Sequence, residues 1–587
     1  MTTLDRLKAA SSLEDFASIL DYTATGLSYI LYKGPTSGRY TVFDIPKRSG
    51  GTRKIHAPDE RLKGLQKKLT SILEECHEEI VQQRGFRHTF SHGFECNRSI
   101  ITNAWMHKKR RFVLNLDLEN FFPSINFGRV RGYFIKNREF SLHPNVATII
   151  AQISCFENYL PQGAPSSPII SNFIAHVLDI RLGKLAAAGK CTYSRYADDL
   201  TISSNKKEFP SSIAVAMAEH PSIWILSDKL QNEITRCGFT IAPSKTRMQC
   251  RPSKQVVTGL SVNEKVNVQA IYYRSARAMC DSLFKRGEFY RGARSSKTLL
   301  PTTSPEMDKD TSYLEGVMAH IYHVKHTSDL RSGRLDSKKE AEDIKRARYP
   351  AYRELYKKLL YYKHFVALEK PLIVCEGKTD NIYLRSALKA LAKKYPSLAK
   401  EEAGALVTNI KFLRHSRIEH DILELSGGSS NLAHLIGRYE KSIKNYRFRP
   451  LDHPVIILID NDSGSKPIFS AINKKIKKQL GLLDKSPFYH VCFNLYLIKT
   501  PEMGLEGTSC IENLFSENVL NTKLNGKSFS LEKEYDLKTH YGKMDFADKV
   551  VRPNSSKIDF GRFESLFDRI VAAIDDYSSR KGHDDFY

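Results

Sequence analysis

The sequence predicts an α/β chain built in two successive parts, a mixed α+β part and then a parallel α/β part. Two observations predict it. In the first half, short β-prone runs at 112–118, 191–204 and 255–262 lie among helical stretches. From Pro371 an apolar strand, a helical stretch and a second apolar strand at 455–459 alternate, which is the pattern of a parallel sheet with crossover helices. The boundary falls near residue 366, and at 587 residues both parts are long enough to bury a core.

The elements follow in order. Residues 1–60 combine a short helical start with the polar, Gly-rich stretch Lys47–Lys54. Leu62, Leu65, Leu69, Ile72 and Leu73 recur at helical spacing and predict a helix over 61–82. Pro301-Thr-Thr-Ser-Pro305 punctuates the chain. Beyond it, Tyr313–Val324 and Ala341–Tyr362 read as basic helices. No internal repeat is present.

Hydrophobic residues are 41% and charged residues 26% of the chain, an ordinary globular composition. Lys and Arg outnumber Asp and Glu, 90 to 65, a net charge of +25. That excess points to a polyanionic partner, because neutralising phosphates releases counterions; the plainer alternative is a solvated basic surface. The N-terminal MTTLDRLKAASSLEDF lacks the apolar core of a secretory signal. The longest apolar runs are too short for a membrane span, so no membrane partner is expected. The ten Cys are scattered without a CxxC pair, which fits a reducing, cytoplasmic setting.

Two groups of acids carry the chemistry. Arg195-Tyr-Ala-Asp-Asp-Leu200 lies between β-prone residues, which places Asp198 and Asp199 at a hairpin tip. Adjacent carboxylates raise one another's pKa unless a cation intervenes, and hard oxygens suit Mg2+. Phe112-Val-Leu-Asn-Leu-Asp117 is a second apolar strand ending in an acid, followed by Phe121-Phe122. Two-metal phosphoryl transfer needs acids from different strands around ions about 3.5–4 Å apart. An Asp-Asp pair taken alone is most often a plain surface turn.

With Asp117 and Phe121-Phe122, Gln162-Gly-Ala-Pro-Ser-Ser-Pro168, Tyr196-Ala-Asp-Asp199, and Gly238-Phe with Ser244-Lys-Thr246, the sequence resembles reverse transcriptases, with the blocks in the family's order. The resemblance implies a right-hand polymerase, with fingers and palm over 1–300 and a thumb and basic connector over 301–365. It implies that Asp117, Asp198 and Asp199 are catalytic and hold two Mg2+ ions. Phe122 would be the steric gate against ribonucleotides, or else a plain core residue. Gln162, Gly163 and Lys245 would contact the dNTP, and Lys47 and Arg53 would cover its phosphates.

Asn103-Ala-Trp-Met-His107 and Val257-Thr-Gly259 resemble blocks of the retron branch. Ser91-His-Gly-Phe94 with Arg98-Ser-Ile100 is similar to retron and group II intron enzymes. The retron resemblance implies binding of a cognate noncoding RNA, with Asn103, His107, Val257, Thr258 and Gly259 as RNA-binding residues. It also implies copying of that RNA into branched msDNA primed from an internal 2′-hydroxyl. Asn103 and His107 lie four apart, so a structural pairing on one helix is the alternative.

In the second half, Pro371-Leu-Ile-Val-Cys-Glu-Gly-Lys-Thr-Asp380 and Val455-Ile-Ile-Leu-Ile-Asp-Asn-Asp462 are apolar strands ending in acids. In parallel sheets functional groups gather at the C-terminal ends of strands, so Glu376, Asp460 and Asp462 are expected to converge. This half, 366–587, resembles a Rossmann-like TOPRIM domain, the module of topoisomerases, primases and OLD-family nucleases. The resemblance implies Glu376 as general acid/base, Asp460, Asp462 and Glu512 as further metal ligands, one or two Mg2+ ions, and Lys543 opposite developing phosphate charge. It also implies a nuclease effector acting on nucleic acid in antiphage defence, with EGKTD leaning towards RNA. Competing readings are a group II intron-like mobile-element enzyme and a second half that only binds nucleic acid. A homo-oligomer is compatible with the sequence.

Overall fold

The computed structural model describes residues 1–33, 38–47, 50–85, 90–220, 222–291, 307–333, 350–402, 405–414, 416–425, 428–476, 479–503, 507–532 and 534–581. The expected Pro301–Pro305 punctuation, the 341–349 portion of a predicted helix and residues 48–49 of the basic stretch lie outside these. The chain forms two compact units, Met1–Gln269 with Val324–Asp336, and Ala270–His323 with Ser337–Tyr587.

In the first unit β1 (Tyr40–Pro46) and β2 (Thr52–Pro58) pair as a hairpin, and the polar, Gly-rich stretch connects them and runs into the start of β2. Helix α1 (Glu60–Arg84) starts where the Asp59 side chain accepts the Leu62 N–H and stops at Gly85, whose φ of +69° suits glycine. Its stripe of Leu62, Leu65, Leu69 and Leu73 is buried. Strand β3 (Phe112–Asp117) is the centre of the sheet. Beyond α2 (Ile100–Met106) and α3 (Ser167–Ala188), the run 191–204 folds as β4 (Thr192–Tyr196) and β5 (Asp199–Ser204). With β6 (Arg247–Cys250) these form an antiparallel sheet in the order β4-β5-β3-β6.

The run 255–262, expected as one strand, is instead two two-residue strands, Val256–Val257 and Leu260–Ser261, paired across a turn. Thr258 and Gly259 both take positive φ, 45° and 81°, and an extended strand cannot contain them.

In the second unit β7 (Leu372–Cys375), β8 (Lys411–Phe412), β9 (Val455–Ile459), β10 (Tyr489–Cys492) and β11 (Leu495–Lys499) form one sheet in the order β8-β7-β9-β11-β10. All neighbours are parallel except the edge strand β10. β7 and β9 are buried along their whole length, as strands covered on both faces must be, which explains their unbroken apolar runs. Helix α4 (Ala270–Arg286) belongs to this unit, and its Phe284 carbonyl accepts the N–H groups of Arg447 and Phe448 at 3.0 Å each.

Candidate functional site

β3 ends at Asp117 and β5 begins at Asp199, and the antiparallel register sets the two directly opposite each other. The Leu118 N–H donates to the Asp198 carbonyl at 3.0 Å, which ties the backbone on both sides of the acids. Between β4 and β5 the chain reverses at Ala197, in the left-handed region at φ 55°. Gly93 backs onto this turn so closely that a Cβ there would stand 2.6 Å from the Ala197 nitrogen, so glycine is required.

The three expected acids therefore meet. Burial, then Asp117, raises the Asp198 carboxyl above its ordinary range. Asp199, whose side chain also reaches solvent, is pushed up to about 7 by the surrounding protein, then by Asp198 and Asp117. Lys245, on the short turn Pro243–Lys245, donates from Nζ to Asp117 Oδ1 at 2.7 Å. The family resemblance puts this lysine on the triphosphate; here it neutralises a carboxylate.

The remaining expected contacts lie around this point. Phe122 is half-buried, 5.4 Å from the Phe121 ring and 6.1 Å from Phe94. The Gln162 carbonyl accepts the His56 N–H at 2.7 Å, and Gly163 (φ +113°) lies where a Cβ would be 2.9 Å from the His56 oxygen. Lys47 and Arg53 are exposed on the β1–β2 hairpin, and the charge of Arg53 is felt at Asp198.

Asn103 and His107 are both fully buried, so neither offers a surface to RNA in this conformation. Ser194 donates to Asn103 Oδ1 at 2.6 Å, which commits its only proton. It must therefore accept from His107 Nε2–H at 2.7 Å, and Ser203 donates to His107 Nδ1 at 2.7 Å. The imidazole thus staples β4 to β5. Burial, with Arg110 and His92 nearby, lowers its pKa to about 3. The VTG turn packs on the same helix, with Thr258 Oγ1 donating to the Ile100 carbonyl at 3.2 Å; Val257 is buried and Gly259 exposed.

In the second unit Glu376 and Asp460 follow the adjacent parallel strands β7 and β9, so both emerge at one edge of the sheet. Burial, then Asp462 and Asp380, raises Glu376. Burial, then Asp380 and Glu512, pushes Asp460 up to about 8, although it accepts the Ile511 N–H at 2.9 Å. Asp462 accepts the Gly464 N–H at 2.9 Å. Glu512 is fully buried and accepts from Lys543 Nζ at 3.1 Å. The five expected residues thus share one electrostatic neighbourhood with Asp380, which the sequence patterns do not single out. Asp380 sits in the first turn of α5 (Lys378–Leu391), four residues after Glu376 and near enough for its charge to raise that carboxyl. An acid in the first turn of a helix that directly follows an acid-tipped strand is the signal that could have found it.

The donor chemistry at both places fits Mg2+, since every candidate ligand is a hard carboxylate oxygen. In the second unit Glu376 Oε2 and Glu512 Oε1 are buried without a hydrogen-bond partner. Among the described residues no group of three or more His, Cys, Asp or Glu side chains stands close enough together to hold a metal ion as the side chains lie.

Opposed carboxylates on an antiparallel sheet fit a template-directed polymerase, and a family model described as reverse transcriptase (RNA-dependent DNA polymerase) matches residues 45–271. The relatives are narrower. The retron Mx65 reverse transcriptase of Myxococcus xanthus is 32% identical over 52% of this chain and 67% of its own length. The retron Ec86 reverse transcriptase of Escherichia coli is 32% identical over 47% of this chain and 80% of its own. The retron Mx162 reverse transcriptase of Myxococcus xanthus is 33% identical over 44% of this chain, and the match spans 54% of that protein's length. The chain belongs to the retron reverse transcriptase family. No helix among the described residues is long and apolar enough to cross a membrane.

Proposed function

We propose that this enzyme copies a cognate structured noncoding RNA into branched msDNA, and that its second unit is a TOPRIM-type nuclease acting in antiphage defence. The observation that carries the first part is the pairing of Asp117 with Asp199 and the tie from Leu118 to Asp198, which gather the three acids from two strands. Asp117, Asp198 and Asp199 would hold two Mg2+ ions, which supply charge for attack of a primer hydroxyl on the dNTP α-phosphorus and for departure of pyrophosphate. Lys245 would exchange Asp117 for the incoming triphosphate, and the Gly163 turn would leave room for the nucleotide beside β2. Incubation with the noncoding RNA and dNTPs is expected to yield DNA that stays joined to RNA until it is debranched. Freely separable DNA would refute the branched product.

The second part rests on Glu376, Asp380, Asp460 and Glu512, each within reach of the Lys543 charge, with Asp462 beside Glu376, since a site that only binds nucleic acid has no use for clustered acids. These residues would hold one or two Mg2+ ions, with Glu376 moving the proton. Glu376→Ala is expected to abolish metal-dependent cleavage of RNA or DNA and cellular toxicity while DNA synthesis persists. Cleavage that survives the substitution removes the assignment.

A further inference from the structure

The catalytic turn is backed by a charged group that none of the assigned roles uses. Arg195, three residues before Asp198, has a fully buried side chain. Its guanidinium makes four hydrogen bonds. Nε donates to Asp179 Oδ1 and Nη2 to Asp179 Oδ2, each at 2.8 Å. Nη1 donates to Asn172 Oδ1 and to the Ala197 carbonyl, each at 3.1 Å. Asp179 and Asn172 both belong to α3, the helix that follows the nucleotide-positioning block. Asn172 in turn donates from Nδ2 to the Gly93 carbonyl at 2.8 Å, and Gly93 is the residue pressed against Ala197. The Arg195 backbone is tied on both sides to the same segment, donating to the Phe90 carbonyl and accepting the His92 N–H, each at 2.7 Å.

A buried ion pair is a poor source of stability, because desolvating two charges offsets their attraction. A planar fork, however, fixes direction as well as distance. Here the fork is bidentate to Asp179, and its remaining nitrogen reaches the carbonyl of Ala197, the left-handed residue that sets where Asp198 points. We infer that Arg195 is a positioning residue, holding the Ala197–Asp199 turn at a fixed angle to α3 so that Asp198 meets Asp117 around the divalent ions. This rests on the reading of Asp117, Asp198 and Asp199 as the metal-holding acids. Lysine at 195 would keep the charge opposite Asp179 but could not reach Asn172 and Ala197 in the same plane.

Arg195→Lys, Asp179→Asn and Asp117→Asn, each in the full chain, test this. Melting curves first establish folding. Mn2+ binding, read by electron paramagnetic resonance well below every melting temperature and counted as the part that Asp117→Asn loses, and kcat and KM for DNA synthesis are then measured. Arg195→Lys is expected to weaken Mn2+ binding roughly tenfold, as outer-shell partners of metal ligands do. It is expected to lower kcat about a hundredfold with primer–template KM unchanged. Asp179→Asn, which loosens the fork and keeps its shape, is expected to move both in the same direction by a smaller factor, and it decides the matter if Arg195→Lys does not fold. A lowered melting temperature with wild-type Mn2+ affinity and kcat would reduce Arg195 to a structural residue. If Asp117→Asn itself keeps full synthesis, the reading of the acids has failed, not the role of Arg195.

Discussion

Lys245 Nζ lies 2.7 Å from Asp117 Oδ1, so the acid at the end of β3 is engaged by an ammonium group within the chain. The partner is mostly solvent-exposed, which makes the pair easy to open. An ion at Asp117 and a phosphate at Lys245 would each replace one half of it. Lys245→Met should therefore raise the KM for dNTP by roughly ten- to a hundredfold, the range for losing a hydrogen bond to a charged group. The expected kcat stays close to wild type, because the acids are untouched. Steady-state primer extension checks this, and a large kcat loss with unchanged KM would place Lys245 elsewhere.

Gly163 tests the nucleotide turn. At its φ of +113°, a Cβ would stand 2.9 Å from the His56 oxygen, which leaves no room for a side chain. Gly163→Ala should cost on the order of 1–3 kcal/mol of local strain. The strain displaces the turn from β2, so dNTP KM is expected to rise, with RNA binding by gel shift unaffected. Equal kinetics in the variant would show that the turn does not face the nucleotide.

The palm is legible in the sequence because charge at the end of an apolar strand is unusual enough to mark function. Asp117, Asp198 and Asp199 carry that signal, as do the acids that follow β7 and β9. Other parts are not legible, for physical reasons. The strand β6 (Arg-Met-Gln-Cys) pairs with β3 at the sheet edge; its residues alternate polar and apolar, but four are too few to separate a strand from a loop, and the polar Gln249 is the one that is buried. The retron resemblance implies Asn103 and His107 as RNA-binding residues, with a structural pairing on one helix as the alternative; their partners, Ser194 and Ser203, lie about ninety residues away and give no local signal. Arg195 stands within the Arg195–Leu200 motif, but only the fold reveals Asp179 and Asn172 beside it.

In the second unit Asp380 is expected to matter as much as the acids flagged by strand ends. It accepts the Gly377 N–H at 2.8 Å, and burial raises its carboxyl, with the Glu512 charge adding to the effect. Asp380→Asn keeps the cap to Gly377 and removes the charge. Metal-dependent cleavage should fall at least about tenfold, within the range for altered metal ligation. Chelation with EDTA should silence both activities of the wild-type chain. Cleavage that resists both treatments would point away from a metal nuclease.

His107 supplies a pH test of the buried network. Its folded pKa is lowered to about 3, and its ordinary value is 6.5. Above pH 6.5 both folded and unfolded chains carry it neutral, and its full contribution to stability is present. As pH falls below 6.5 the unfolded chain takes up a proton that the fold refuses. Stability attributable to His107 then declines by about 1.4 kcal/mol per pH unit until the folded pKa is reached. His92 and His364, lowered to about 4 and about 3 by burial, add slopes of the same sign, so the comparison must be between chains. His107→Gln should be less stable than wild type by about 2–3 kcal/mol at pH 7.5, since Ser194 and Ser203 lose their partner in a dry site. Because glutamine does not titrate, that gap should narrow by about 1.4 kcal/mol by pH 5.5. Urea unfolding at the two pH values measures it. A gap that stays constant would mean that the imidazole takes up its proton inside the fold, and the Asn103–Ser194–His107–Ser203 chain would then need a different proton assignment.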